Sequence, residues 1–312
     1  MYMKQTLKLF KKQLPLQLFV LGGMIYLFIF NYVPMFGLVI AFRNYDILDG
    51  IGGFFISPWV GFQHFTDFFT TPNFWNLLQN TVAISFFKLI FVFPLPILFA
   101  IMLNEMRSLK YKKVVQTASY LPHFISWVVV SGISFHFLSS SGIINTILLR
   151  IGLVDTALPF LSSANMFWGL AVALDVWKSM GWWTIVFLAA IAGVSDELYE
   201  AAALDGAGRL KRIWYITLPG IKPTVIIVLI LALGNLFGGG LSGSNFEQSF
   251  LLGNAVNATR SEIIQTYVFR VGLTLGRFDY ATAVGLVQSI VSLVLILSSN
   301  FVAKKVSGNG LF

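Results

Sequence analysis

The sequence predicts an all-α, polytopic membrane protein with six transmembrane helices. Three observations predict it. Of the 312 residues 57% are hydrophobic, only 11% are charged and 31 are Phe, so polar surface is too scarce to cover a water-soluble globule. The charges fall in short clusters separated by six long apolar intervals. Each interval holds the roughly 20 residues that cross a hydrocarbon core of about 30 Å as a helix, the conformation that satisfies backbone polar groups in lipid. The mean hydropathy of +0.80 agrees.

No charge occurs between Lys12 and Arg43, which predicts a first helix over 16–41 behind a basic tail, 1–15. This start resembles a signal peptide, but its apolar stretch is long and no small-x-small site follows, so an uncleaved helix is expected. Between Asp67 and Glu105 only Lys88 is charged, predicting a second span over 74–104. The interval from Lys113 to Arg150 gives a third over 113–138. Asp155 to Asp196 contains only Asp175 and Lys178 and gives a fourth over 164–194. Lys222 to Glu247 and Asp279 to Lys304 give the fifth over 220–240 and the sixth over 280–303.

Lys and Arg then set the orientation. One side collects Lys4, Lys8, Lys11, Lys12, Arg107, Lys110, Lys112, Lys113, Arg209, Lys211, Arg212, Lys222, Lys304 and Lys305, fourteen in all, against five on the other: Arg43, Arg150, Arg260, Arg270 and Arg277. Both termini are therefore expected in the cytoplasm of a multi-pass plasma-membrane protein. The net charge of +8 does not read as nucleic-acid binding, because the basic clusters form no continuous face. With no Cys there is no disulfide framework or thiolate chemistry. His64, His123 and His136 lie far apart in different contexts and form no i, i+4 pair, so no metal site is expected. No nucleophile, base and orienter constellation is readable, and the chain is not expected to be an enzyme.

The most polar stretch, Tyr199 to Gly220, opens on the cytoplasmic side between the fourth and fifth spans (loop 195–219). Ser195 and Asp196 are placed to cap a helix with Asp196 and Glu197 in its first turn. Gly206 permits a sharp turn. A second short helix over Arg209 to Tyr215 carries Arg209 and Arg212 at i, i+3, and Pro219 and Pro223 lead into the fifth span. The product is a helix-turn-helix knob shaped for a partner's socket.

Glu200, Ala201, Ala202, Gly206, Ile216, Leu218 and Pro219 fill the pattern Glu-Ala-Ala, three residues, Gly, nine residues, Ile-x-Leu-Pro. This resembles the EAA motif of the permease subunits of binding-protein-dependent ABC importers. "NYVPMFGLVIAFRNYD" (Asn31 to Asp46), "SPWVGFQHF" (Ser57 to Phe65) and "SYLPHFISWVVVSGI" (Ser119 to Ile133) are similar to the oligosaccharide branch of these permeases. The stretch Gly234 to Asn254 departs from the branch by its glycine-rich approach to Phe246, Glu247 and Gln248. The resemblance implies a type I importer fold in one permease domain, 1–312. It implies one pathway shared with a second homologous permease, two cytoplasmic ATPase subunits that bind ATP and Mg and receive the knobs, and an extracytoplasmic solute-binding protein. This chain has no phosphate-binding loop, so no cofactor is expected in it. A peptide or osmolyte is the alternative solute, since the same loop serves those importers. A secondary transporter would need inverted halves with broken helices, and no clear repeat relates 1–155 to 156–312.

A sugar path needs aromatic faces for C–H surfaces and fixed polar groups for hydroxyls. Candidates are Trp177, Trp182 and Trp183 on the fourth span, Asn235 on the fifth, and Gln288 with Ser292 at i, i+4 on the sixth. Trp and Ser also serve plain helix packing, which is the alternative for each. Lys88, Asp175 and Lys178 are added because a charge at mid-membrane costs at least about 2.5 kcal/mol on insertion scales and does not face lipid. Helical spacing puts Asp175, Lys178, Ser179 and Trp182 on one face and Trp177 roughly opposite. Asp175 has two prospective partners, Lys178 at i, i+3 and Lys88.

Overall fold

The computed structural model describes residues 2–308, except for the side chains of residues 2–12, 306 and 307. Lys4, Lys8, Lys11 and Lys12 are thus outside the described side chains. Among the described residues four helices are long and apolar enough to cross a membrane: Gln13–Phe42, Phe74–Asn104, Arg209–Gly234 and Phe278–Lys305. The expected third span is broken, its halves Leu109–Phe124 and Trp127–Phe137 meeting at 101°. The cause is local: Pro122 tightens the end of the first half into a 3-10 turn, and Ser126, extended and accepting from Val129 N, caps the second. The fourth is the 26-residue helix Phe167–Ala192. Its length suffices, but Asp175, Lys178, Trp177, Trp182 and Trp183 dilute its apolar character. The six expected elements are all helices, though two of them depart from a simple apolar rod.

Boundaries differ where proline was read as a stop. The coupling helix was expected to end near Tyr215, yet the helix runs unbroken from Arg209 to Gly234. A five-residue π-turn, Ile213–Thr217, precedes Leu218 and Pro219. Its wider ring absorbs the hydrogen bond that proline cannot donate. The same device, Phe28–Tyr32 ahead of Val33 and Pro34, carries the first span past its proline. Helical backbone also starts at Tyr2, through the stretch read as a tail.

The chain divides into two compact units, residues 1–69 with 270–286, and residues 70–269 with 287–312. In the first unit the chain returns to the end of the first span: Arg43 bridges Trp59, and Val60 and Gly61 donate to Phe42 O at 2.9 and 3.1 Å. His64 lies buried there with Nε2 2.9 Å from Arg43 O and 3.3 Å from Asp279 Oδ2. The carboxylate that His64 meets comes from 215 positions on, at the start of the last helix. In the second unit one apolar cluster joins Ile84, Phe167, Ala171, Leu252 and Ile263. Another joins Ala100, Phe187, Ile191, Ile221 and Val228, tying the second, fourth and fifth spans together.

Candidate solute path and coupling surface

Mid-helix on the fourth span, Asp175 is completely buried (0% exposed) and Lys88 of the second span nearly so (1%). They pair at 3.0 Å between Nζ and Oδ2. Further hydrogen bonds surround the pair: Ser179 Oγ donates to Asp175 Oδ1 at 3.0 Å, Ser242 and Ser244 donate to Oδ2 at 2.6 and 3.1 Å, and Lys88 Nζ donates to Ser244 Oγ at 2.8 Å. An ion pair buried in an apolar bundle is tolerable only with such added hydrogen bonds. Ser242 and Ser244 come from the glycine-rich loop after the fifth span, which turns through Gly239 at φ 108°. A Cβ there would stand 2.9 Å from Asn245 Oδ1, so glycine is required by both conformation and space. Asn245 in turn donates to Ser85 Oγ and Phe237 O.

Of the two partners the sequence offered Asp175, the structure selects Lys88; the Asp175–Lys178 pair is not formed. Lys178 reaches instead to His123 O at 2.6 Å and lies 5.7 Å from the Trp127 ring centroid. That carbonyl ends the first half of the broken third span, where a cation is favoured by the helix dipole. Beside it the His123 and Trp182 rings stack at 4.5 Å and 3°. Phe124 meets Trp182 edge-on at 5.9 Å. Trp182 is 38% exposed and Phe124 72%, so this platform presents open aromatic surface next to an ammonium.

The other path candidates separate from this place. Trp177 is exposed on the opposite face, as its spacing implied. Trp183 packs into the cluster around Phe187 and Ile221. Asn235 lies one residue beyond the fifth span rather than on it, donating to Gly240 O at 2.9 Å. Gln288 and Ser292 are half-buried on the sixth span. Sequence reasoning missed His123 and Phe124 as platform members, and Ser85, Ser242, Ser244 and Asn245 as the shell of the ion pair. A signal existed for part of it: Asn80, Thr81, Ser85 and Lys88 fall on one side of the second span, all buried.

The knob forms from Asp196–Leu204 and the start of Arg209–Gly234. Its turn is a Schellman closure: Ala207 N donates to Ala202 O at 2.8 Å, Gly206 N to Ala203 O at 3.1 Å, and Gly206 takes φ +73°. Ser195 occupies the N-cap position in extended conformation, but its side chain makes no cap bond, contrary to expectation. Tyr199 OH meets Thr217 Oγ1 at 3.0 Å and fixes the angle between the two helices. Glu200, Ala201, Gly206, Arg209 and Pro219 are exposed, while Ala202, Arg212, Ile216 and Leu218 are half-buried. Leu204 is 89% exposed, and Leu210, Trp214 and Tyr215 also stand in the open.

Residues 21–308 match the family described as binding-protein-dependent transport system inner membrane component. The chain belongs to that family. This permease is 44% identical over 298 residues to Protein LplB of Bacillus subtilis (strain 168), covering 95% of this chain and 91% of the relative. It is equally 44% identical over 298 residues to the polygalacturonan/rhamnogalacturonan transport system permease protein YteP of the same organism, 95% and 90% covered. A crystal structure of a bacterial ABC transporter involved in the import of the acidic polysaccharide alginate contains a chain that superposes with a TM-score of 0.88 at 38% identity, over 97% of this chain and 99% of that one. The permease is thus an inner-membrane transport subunit of an ABC importer, not an enzyme, in a system that works with a solute-binding protein.

Proposed function

We propose that the solute is an oligosaccharide and that it passes the platform of Trp182, His123 and Phe124 beside Lys178. The observation that carries this is the 4.5 Å stack of His123 on Trp182 at the break of the third span. A sugar ring lays C–H groups on such a face, while the break and Lys178 supply donors for its hydroxyls. Lys88 and Asp175, fully paired, back this surface rather than touch solute. The named solutes of relatives, polygalacturonan/rhamnogalacturonan and arabinooligosaccharides, support sugar over peptide or osmolyte. A second homologous permease completes the path. Two ATPase subunits, holding ATP and Mg, receive the knob through Glu200 to Pro219, and their closure shifts the pair toward the outward-open state. Both termini lie in the cytoplasm.

The test is uptake by the complete complex in proteoliposomes with its binding protein. Oligogalacturonides or arabinooligosaccharides are expected to enter and to stimulate ATP hydrolysis, whereas a tripeptide and glycine betaine are not. Trp182→Ala is expected to lower sugar uptake by about tenfold or more, the loss of a stacking contact worth roughly 1 to 1.5 kcal/mol plus its buried area. Uptake of the peptide or betaine alone overturns the solute class, and normal sugar uptake by Trp182→Ala overturns the path.

A further inference from the structure

The fifth and sixth spans touch at Gly234 and Ile296, where an added Cβ would stand 2.9 Å from Ile296 Cδ1. Between that crossing and Lys222 a groove of about 510 Å³ runs along the pair. Ile226, Leu229 and Leu233 form one wall, and Ser298 and Val302 contribute to the other. The walls are aliphatic apart from Ser298 and Ser299 on the sixth span and Lys222 at one end, which is exposed. Just past Val302, Lys304 and Lys305 are exposed as well. Among the described residues none of these three lysines has a carboxylate partner.

We infer that this groove is a binding site for one anionic phospholipid of the cytoplasmic leaflet. Its acyl chain lies along Ile226, Leu229 and Leu233, and Lys222 holds its phosphate. The leaflet rests on the orientation proposed above. Three features select this occupant. An aliphatic cleft left unfilled forfeits the dispersion contacts of its walls, and a flexible hydrocarbon chain fills it without desolvating anything. A water-soluble ligand would need several polar partners, and the walls offer only Ser299 and Ser298, whose hydroxyl is already donated to Val294 O at 2.6 Å. A whole helix from another subunit needs a broad face, whereas this cleft lies between two helices that touch at Gly234 and Ile296. The unpaired ammonium at the open end then favours an anionic headgroup over a zwitterionic one. Because the same helix continues unbroken to Arg209 in the coupling knob, a lipid wedged there acts on the element that transmits ATPase motion.

The experiment is native mass spectrometry of the whole complex, released from bilayers holding equal amounts of phosphatidylglycerol and phosphatidylcholine. One phosphatidylglycerol is expected to remain per copy of this chain. Lys222→Gln is expected to lower its occupancy about fivefold, the worth of one lysine at an anionic surface. Ile226→Trp, which fills the cleft and leaves the lysine, is expected to abolish it. Equal retention of the two lipids, or retention unchanged by both variants, overturns the site. Val302→Cys, a lone thiol in a chain without Cys, distinguishes a protein occupant. Its labelling in lipid-free detergent is expected to stay open on assembly with the partner permease, and protection by the partner alone overturns the lipid. If a thiol at Gly208 reacts with an impermeant reagent from outside, the orientation fails, and the leaflet assignment fails with it even where lipid is retained.

Discussion

Lys88 and Asp175 show how far a residue can be placed by electrostatics alone. A charge in mid-membrane demands a partner, so both were bound to face inward, and both do. Their energetics predict a specific mutational pattern. Lys88→Met or Asp175→Leu alone leaves an uncompensated buried charge, expected to cost about 3–5 kcal/mol, whereas removing both is expected to recover most of that loss. Thermal unfolding of the assembled complex in detergent checks it, and additive losses in the double variant would show that the pair is not coupled. What the sequence could not settle was the choice of partner. Lys178 is the nearer along the helix, but the second span brings Lys88 within 3.0 Å, and the half-helix end at His123 offers Lys178 a carbonyl of its own. Both contacts are tertiary, and helical periodicity is blind to them. The serines of the glycine-rich loop were illegible for the same reason, since no period runs through an irregular loop.

At the scale of elements, charge-free intervals located the spans well, because the length of a membrane helix is set by the bilayer. Proline misled: read as a stop, Pro219 instead sits just after a π-turn that lets coupling helix and fifth span be one rod. This continuity sharpens the reading of the knob. If an ATPase docks as proposed, movement imposed on Arg209 is carried to Gly234 without a hinge of loose chain. The turn that offers the knob is closed by Gly206 at φ +73°, with nothing within 4 Å of an added Cβ. A valine there meets no clash, so its cost is purely conformational, about 1–2 kcal/mol for the left-handed state. Gly206→Val with Glu200→Ala is therefore expected to insert and express normally yet to lower ATPase stimulation by loaded binding protein. Unchanged stimulation in the reconstituted complex would sink the assignment of the knob.

For the whole molecule the remaining question is which way the spans run. The split of fourteen Lys and Arg against five underlies the proposal that both ends and the knob lie on the cytoplasmic side, since translocation disfavours basic loops. The chain has no Cys, so single thiols report directly. Position matters: Asn257, in the loop before the last span, is buried and donates to Leu161 O and Leu252 O, and a cysteine there would disturb the loop it reports on. Val256 beside it is exposed, as is Ser140 after the third span. Val256→Cys and Ser140→Cys are expected to react with an impermeant maleimide in intact cells or spheroplasts. Ser108→Cys and Gly208→Cys, both exposed, are expected to react only after permeabilisation. The reverse pattern would place the knob outside, where no ATP is available, and would remove the coupling role together with the orientation.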